Sequence, residues 1–374
     1  MNKFKRDIFI PVAKPNIGKE ELANVIRAVK SGWISKGEYI NKFEVDFAKY
    51  IGTRYAVSAT SGTTALHLVL VALGIKKGDE VIVPDLTFVA TANAVSYTGA
   101  KPVFVDVDEN NWCIDPLKIE KAVTRKTKAI IPVHLYGHSA DMDPIMKIAK
   151  KHNLYVIEDA AEAHGGEYRG RKVGSIGDAA IFSFFGNKII TTGEGGMVIT
   201  NNKNIAERTM FLRDHARDDK KKYWHKEIGY NYPMTNIQAA IGFAQLKKIN
   251  KFIAAKRRIF RWYSRHLKNL KGVKLNPEEK WAKNVFWMAS LVLGEGARIS
   301  RDNLIKRLAK RGIDSRPFFY PLSQLPMYGG KPRNPIALQI SKSGINLPSG
   351  TDLKEKEVKY ICDTLKTILS GKSK

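Results

Sequence analysis

The chain has 374 residues, 44% of them hydrophobic and 26% charged, which suits a globular protein with a sizeable core. The formal net charge of +27 admits nucleic acid, an anionic surface or an anionic substrate as partner. The lysines and arginines are spread along the chain, however, with no basic tail and no nucleic-acid motif, so neither nucleic acid nor membrane is the expected partner.

No apolar run approaches the ~20 residues of a membrane helix, and "MNKFKRDIFIPVAKPNIG" holds no apolar signal core. Cys113 and Cys362 stand far apart, which argues against a disulfide framework or a metal site and for a reducing cytoplasm.

From Gly52 to about Thr200, short apolar runs alternate with helical periodicity. "TTALHLVLVALG" reads as a helix, "DEVIVP" as a buried strand and "TFVATANAVSYTG" as a helix. "KPVFVDVD" and "DPLKIEKAV" repeat the pattern, as do "KAIIPVHLYG" and "DMDPIMKIAKKHN". The strand "LYVIED" follows, and "AAIFSFF" and "GGMVIT" come close behind as two more strands. Strands alternating with helices predict an α/β fold with a mostly parallel sheet covered on both faces. A long helical stretch then runs from "TNIQAAIGFAQL" to about Leu270. Beyond it, the strand "NVFWMASLVL" and the helices "SRDNLIKRLAKRG" and "DLKEKEVKYICDTLKTIL" predict a smaller α+β domain. The expected division is a large domain over residues 1–250 and a small one over residues 251–374.

Ligands of open α/β sheets sit at the carboxyl ends of the strands, and three stretches fall there. In "SATSGTTALHL", the turn around Ser61, Gly62 and Thr63 opens an apolar helix whose free N–H groups suit a phosphate; the plainer reading is a helix cap. In "YVIEDAAEAHGG", Asp159 ends a buried strand with Glu158 and Glu162 nearby. A carboxylate there needs a partner, either a salt bridge or a cationic ring nitrogen. In "SFFGNKIITTGEGGMVIT", Lys188 stands between a strand and a glycine turn, where desolvation turns a lysine into a nucleophile. Phe88 follows another strand and suits either core packing or stacking on a ring. A phosphate seat, a carboxylate and a lysine, in this order, are what pyridoxal 5'-phosphate (PLP) requires.

The stretches "SGTTALHL", "GDEVIVPDLTFVATANAV", "PVHLYG", "IEDAAEA", "FSFFGNKIITTGEGGMV" and "GYNYPMTNIQAAIGFAQL" resemble the nucleotide-sugar aminotransferases of the DegT/DnrJ/EryC/StrS family, from about Pro11 to the C-terminus. The resemblance implies aminotransferase fold type I and PLP, with PMP as its amino form. It implies that Lys188 is the Schiff-base lysine, Asp159 the partner of the ring nitrogen and Phe88 the stacking residue. Ser183, with the Gly62 and Thr63 backbone, would hold the phosphate, and Glu162 would lie near the ring where many relatives carry glutamine. Asn231 matches an asparagine that reaches the neighbouring subunit's phosphate, which implies a homodimer with shared active sites, or a tetramer built from it. Pro233 departs from the usual arginine. Trp33, Arg316 and Tyr320 are the substrate-side candidates.

Within the family, "DMDPI", "VFWM", "GIDSRPFFYPL" and "INLPSG" are most similar to the branch that aminates GDP-4-keto-6-deoxymannose with glutamate as donor, a step of surface-polysaccharide synthesis. A UDP- or dTDP-linked 4-keto sugar, a PLP-dependent dehydratase and a basic nucleic-acid-binding protein on an enzyme fold are the competing readings.

Overall fold

The computed structural model describes residues 9–218, 220–294 and 296–371. Its centre is a seven-stranded sheet. From one edge, the strands are Tyr55–Ala59, Gly196–Thr200, Ala179–Ser183, Tyr155–Asp159, Thr127–Ile130, Glu80–Pro84 and Lys101–Val105. The last five pair in parallel, while Gly196–Thr200 runs antiparallel to both its neighbours. The fold is thus α/β with a mostly parallel sheet. The exception has a local cause: residues 184–195 turn the chain straight back at the carboxyl edge, with no helix to carry it across the sheet.

Both faces are covered. Along Gly196–Thr200, Met197 and Ile199 enter one core and Val198 the other, as the two-residue period of a strand requires. On one face lie the helices Gly62–Ala72, Ala90–Tyr97 and Lys203–Arg213, which contribute Leu66, Val95 and Ile205. On the other lie Glu38–Ile51, Pro116–Ala122, Met142–His152 and Asn236–Lys247, which contribute Phe43, Ile119, Ile145 and Ala239.

The helical stretch expected to run unbroken to about Leu270 is two helices, Asn236–Lys247 and Ile249–Leu267. Thr235 and Gln238 form a capping box at the start of the first. Lys248 breaks the run with φ −103° and ψ 0°. After the break the second helix first gives Ile249, Phe252 and Ile253 to the sheet core, and its later turns give Ile259, Tyr263 and Leu267 to a separate core. That core also holds an antiparallel four-stranded sheet, Val273–Leu275, Ala289–Leu293, Gly344–Leu347 and Arg316–Pro317, and the helices Arg301–Ala309 and Glu355–Leu369. The division expected after residue 250 falls inside the Ile249–Leu267 helix, and the outer limits at residues 1 and 374 lie outside the described residues. Ile10 bridges to Ile313 and packs into the C-terminal core, so the start of the chain belongs by packing with its end. Among the described residues, no helix is long and apolar enough to cross a membrane.

Candidate active site

A cavity of about 330 Å³ opens at the carboxyl ends of the sheet strands. Its lining includes Ser61, Gly62, Thr63, Phe88, Asp159, Glu162, Ser183 and Lys188. The chain reaches it from strand ends that are far apart in sequence and adjacent in the sheet.

The seat for an anion is built by close approach. Ser61 caps the Gly62–Ala72 helix: its Oγ accepts the Thr64 N–H at 3.1 Å, and Thr64 Oγ1 accepts the Ser61 N–H at 3.0 Å. Ser61 Oγ thus accepts at the helix end, and as a hydroxyl it keeps a proton to donate at the cavity it lines. The Gly62 and Thr63 N–H groups, first in the helix, have no acceptor within it. A methyl group at Gly62 would sit 2.9 Å from Ser183 Cβ, and one at Gly196 would collide with the Ser61 carbonyl oxygen. Gly196, the last glycine of "GEGG", thus does more than turn the chain: it lets the strand lie against the helix N-terminus.

Asp159 is 7% exposed at the end of its strand. Its Oδ2 accepts the Thr91 hydroxyl at 2.8 Å, and Oδ1 accepts the Ala161 N–H at 3.2 Å. Burial pushes its pKa up, and the Thr91 and Ala161 hydrogen bonds offset this only in part. Glu158, one residue earlier, points to the other face. There it meets His134 Nε2 at 3.0 Å and accepts the N–H groups of Gly174, Ile176 and Gly177. Burial works to raise Glu158, yet His134 and these donors hold it below the usual carboxylate range. Of these two, Glu158 is a structural anchor and Asp159 faces the cavity.

Lys188 Nζ lies 3.7 Å from Glu162 Oε1 and 4.0 Å from the centroid of the Trp287 ring. Burial lowers its pKa, against the pull of Glu162 and Asp159. Burial also pushes Glu162 up to about 7. Trp287 is tied in turn to the lysine loop, because its Nε1 donates to the Asn187 carbonyl at 2.7 Å. Asn187 Oδ1 is buried with no hydrogen-bond partner among the described residues, and this residue lines the cavity.

The DegT/DnrJ/EryC1/StrS aminotransferase family pattern matches residues 15–366. The chain belongs to this family. A GDP-perosamine synthase of Caulobacter vibrioides is 47% identical to it, over 96% of this chain and 98% of that protein. One of Escherichia coli O157:H7 is also 47% identical, over 97% of this chain and the whole of its own length. Among solved structures, Spr1654 of Streptococcus pneumoniae in its PMP form is 30% identical with a TM-score of 0.92, over 97% of this chain and 98% of that one.

Of the candidate site residues read from the sequence, the cavity gathers eight: Ser61, Gly62, Thr63, Phe88, Asp159, Glu162, Ser183 and Lys188. Phe88 is 54% exposed, lies at a tilt against Phe319 with 5.7 Å between centroids, and lines the cavity with it. Arg316 lines a second, adjoining cavity of about 400 Å³, which shares Asn187, Trp287 and Phe319 with the first. Its guanidinium pairs with Asp314 at 3.1 Å.

Three residues lie elsewhere. Trp33 is 68% exposed, and its carbonyl accepts Asn236 Nδ2 at 2.6 Å. Tyr320 is 53% exposed, with the Arg301 guanidinium 5.9 Å from its ring. Asn231 is exposed beside Asp214. None of the three lines either cavity. Sequence reasoning missed Thr91, Tyr136, Trp287 and Phe319. A threonine within "TFVATAN", soon after Phe88, was the one local signal for Thr91.

The donor set fits PLP. The helix N-terminus and Ser183 suit its phosphate. The buried, cation-seeking Asp159 suits its ring nitrogen, Phe88 its ring face and Lys188 its aldehyde carbon.

Proposed function

We propose that this family member is a PLP-dependent 4-aminotransferase that converts GDP-4-keto-6-deoxy-D-mannose to GDP-perosamine with L-glutamate as amino donor. The observation that carries the chemistry is the convergence of a helix N-terminus, a buried carboxylate and a buried lysine on one cavity. The choice of sugar nucleotide rests on the 47% identity, over nearly the whole chain, to two proteins named GDP-perosamine synthase.

When bound, PLP supplies a carbon that carries the amino group between donor and acceptor and a ring that accepts the electron pair released there. Gly62, Thr63 and Ser183 hold the phosphate, which fixes the register of everything else. Asp159, oriented by Thr91, keeps the ring nitrogen protonated. Phe88 covers one ring face. Lys188 would hold the cofactor at its aldehyde carbon, and as a free amine it would take the proton from the glutamate α-carbon and return it at the same place. One lysine serves both half-reactions because both reacting carbons come to the same position. The adjoining cavity, with Arg316 at its rim, takes the sugar nucleotide; its cationic side chain suits a pyrophosphate.

We read the protein as a homodimer. Asn231 lies outside its own chain's cavity, which suits a residue that serves a neighbour's. Two buried free cysteines support a cytoplasmic location, where an activated amino sugar would enter polysaccharide assembly.

The test is a product assay. The PLP-loaded protein is incubated with glutamate and, separately, with the 4-keto-6-deoxy sugars of GDP, UDP and dTDP. A ketone-to-amine mass change with the GDP-mannose-derived ketone alone supports this reading. Product from UDP or dTDP sugars alone keeps the chemistry and overturns the substrate. No conversion of bound PLP to PMP by glutamate overturns the aminotransferase itself.

A further inference from the structure

Glu162 and Lys188 meet at the cavity wall, with Oε1 3.7 Å from Nζ. Glu162 is 3% exposed, so water does not screen the pair. The second carboxylate oxygen, Oε2, accepts the Tyr136 N–H at 2.8 Å. That donor is aimed by an unusual backbone. Tyr136 sits in the left-handed region at φ 52° and ψ 21°, and Gly137 follows at φ 100°. A bulky residue in that region is strained, and such strain persists only where the surroundings enforce it. Here they do: the Tyr136 carbonyl accepts the Trp287 N–H at 3.1 Å, and the Gly137 carbonyl accepts the Val285 N–H at 3.2 Å. A side chain at Gly137 would come within 2.8 Å of Val285 Cγ2.

One carboxylate oxygen is thus pinned by a fixed donor, and the other is left facing the lysine. The other ionisable groups around the pair are Asp159, Cys113 and the Tyr136 phenol near Glu162, and Asp159 and His164 near Lys188. Burial keeps His164 neutral, at about 3, and the Cys113 thiol protonated, at about 12. Asp159 is engaged by Thr91 and Ala161. Glu162 is the carboxylate left to answer to the lysine.

Resting on the reading of Lys188 as the reactive amine, we infer that Glu162 is the proton store of this site. It exchanges one proton with Lys188 Nζ, so the pair alternates between carboxylate with ammonium and carboxylic acid with free amine. No proton has to leave for bulk water when the pair changes between these two forms. Two groups coupled this closely titrate as a pair.

The experiment is competitive acetylation of the cofactor-free protein with acetic anhydride from pH 5 to 11. The Lys188 peptide is quantified by mass spectrometry in wild type, Glu162→Gln and Glu162→Asp. The wild-type rate profile is expected to show two inflections, one as Glu162 ionises and one as Lys188 does. Glu162→Gln should show a single inflection at lower pH, because the carboxylate that favoured the ammonium is gone. A shift of one pKa unit makes acetylation near neutral pH about tenfold faster than in wild type. Superimposable profiles overturn the proposal. If Glu162→Gln fails to fold by circular dichroism, the wild-type and Glu162→Asp profiles decide: a single wild-type inflection, unmoved in Glu162→Asp, overturns it as well. This readout needs neither PLP nor sugar. Aminotransfer with a flat labelling result sinks only the proton store, and coupled labelling without aminotransfer sinks only the proposed function.

Discussion

Thr91 is the sharpest place to test how the site holds Asp159. Its hydroxyl, 1% exposed as a residue, gives the shorter of the two hydrogen bonds to the carboxylate, 2.8 Å against 3.2 Å from the Ala161 N–H. Thr91→Val keeps the shape and removes the donor. A hydrogen bond to a charged group contributes roughly 1.5–3 kcal/mol, or about a 10- to 150-fold change in an equilibrium at ~1.4 kcal/mol per tenfold. Without it the ionised form of Asp159 is less favoured, burial raises its pKa further, and its pairing with a protonated ring nitrogen weakens. The expected result is PLP binding weaker by about one to two orders of magnitude, read by titrating the cofactor-free protein and following absorbance. The turnover rate should fall with it, while the melting temperature of the cofactor-free protein stays close to wild type. A PLP dissociation constant within twofold of wild type would refute the reasoning, since it would mean that Thr91 does not orient Asp159 toward the cofactor.

Lys188→Ala should abolish turnover while leaving the fold intact by circular dichroism; transamination at the wild-type rate would remove the lysine from its assigned role. Gly196→Ala drives a methyl group into the Ser61 carbonyl. Such overpacking costs about 1–3 kcal/mol, so both the thermal midpoint and PLP affinity should fall, and an unchanged melt would show that the seat is looser than drawn. The cofactor-free protein should carry a pH signature of Glu162. Its folded pKa is raised above the ordinary value, from 4.5 to about 7, so the native state binds more protons in that window and stability falls as pH rises through it. At ~1.36 kcal/mol per unit, that loss is about 3 kcal/mol. Glu162→Gln should lack it, and urea melts at pH 5 and pH 8 compare the two proteins directly. Equal pH slopes would exclude a raised carboxyl at Glu162.

The fold class was legible because its signals are local. Strand runs such as "DEVIVP" and helix starts such as "TNIQ" obey two-residue and capping rules that need no tertiary information. The three chemical stretches were legible for a related reason: in a parallel sheet, whatever follows a strand lies at the carboxyl edge. Other features were not local. Nothing in the neighbourhood of Lys248 announced the break between two helices, since Leu246 before it and Ile249 after it pack into the same core. For Ser61 the sequence left a helix cap and a phosphate seat open, and only the tertiary structure shows the cap contact with Thr64 and the place of Ser61 on the cavity wall. Trp33, Tyr320 and Asn231 stand outside both cavities, and no spacing in the chain foretold that.

By itself, the sequence determined the α/β alternation, the family and the carboxyl-edge loops that bear Lys188, Asp159 and the Gly62 turn, since periodicity and contiguous motifs are written in neighbouring residues. Only the tertiary structure decided which distant groups act on them. It set Thr91 on Asp159, Trp287 over Lys188, and the strained Tyr136 N–H on Glu162. Those pairings join segments separated by dozens of residues. They arise when strands and helices are packed into one core, and they depend on distances and orientations that no run of letters specifies.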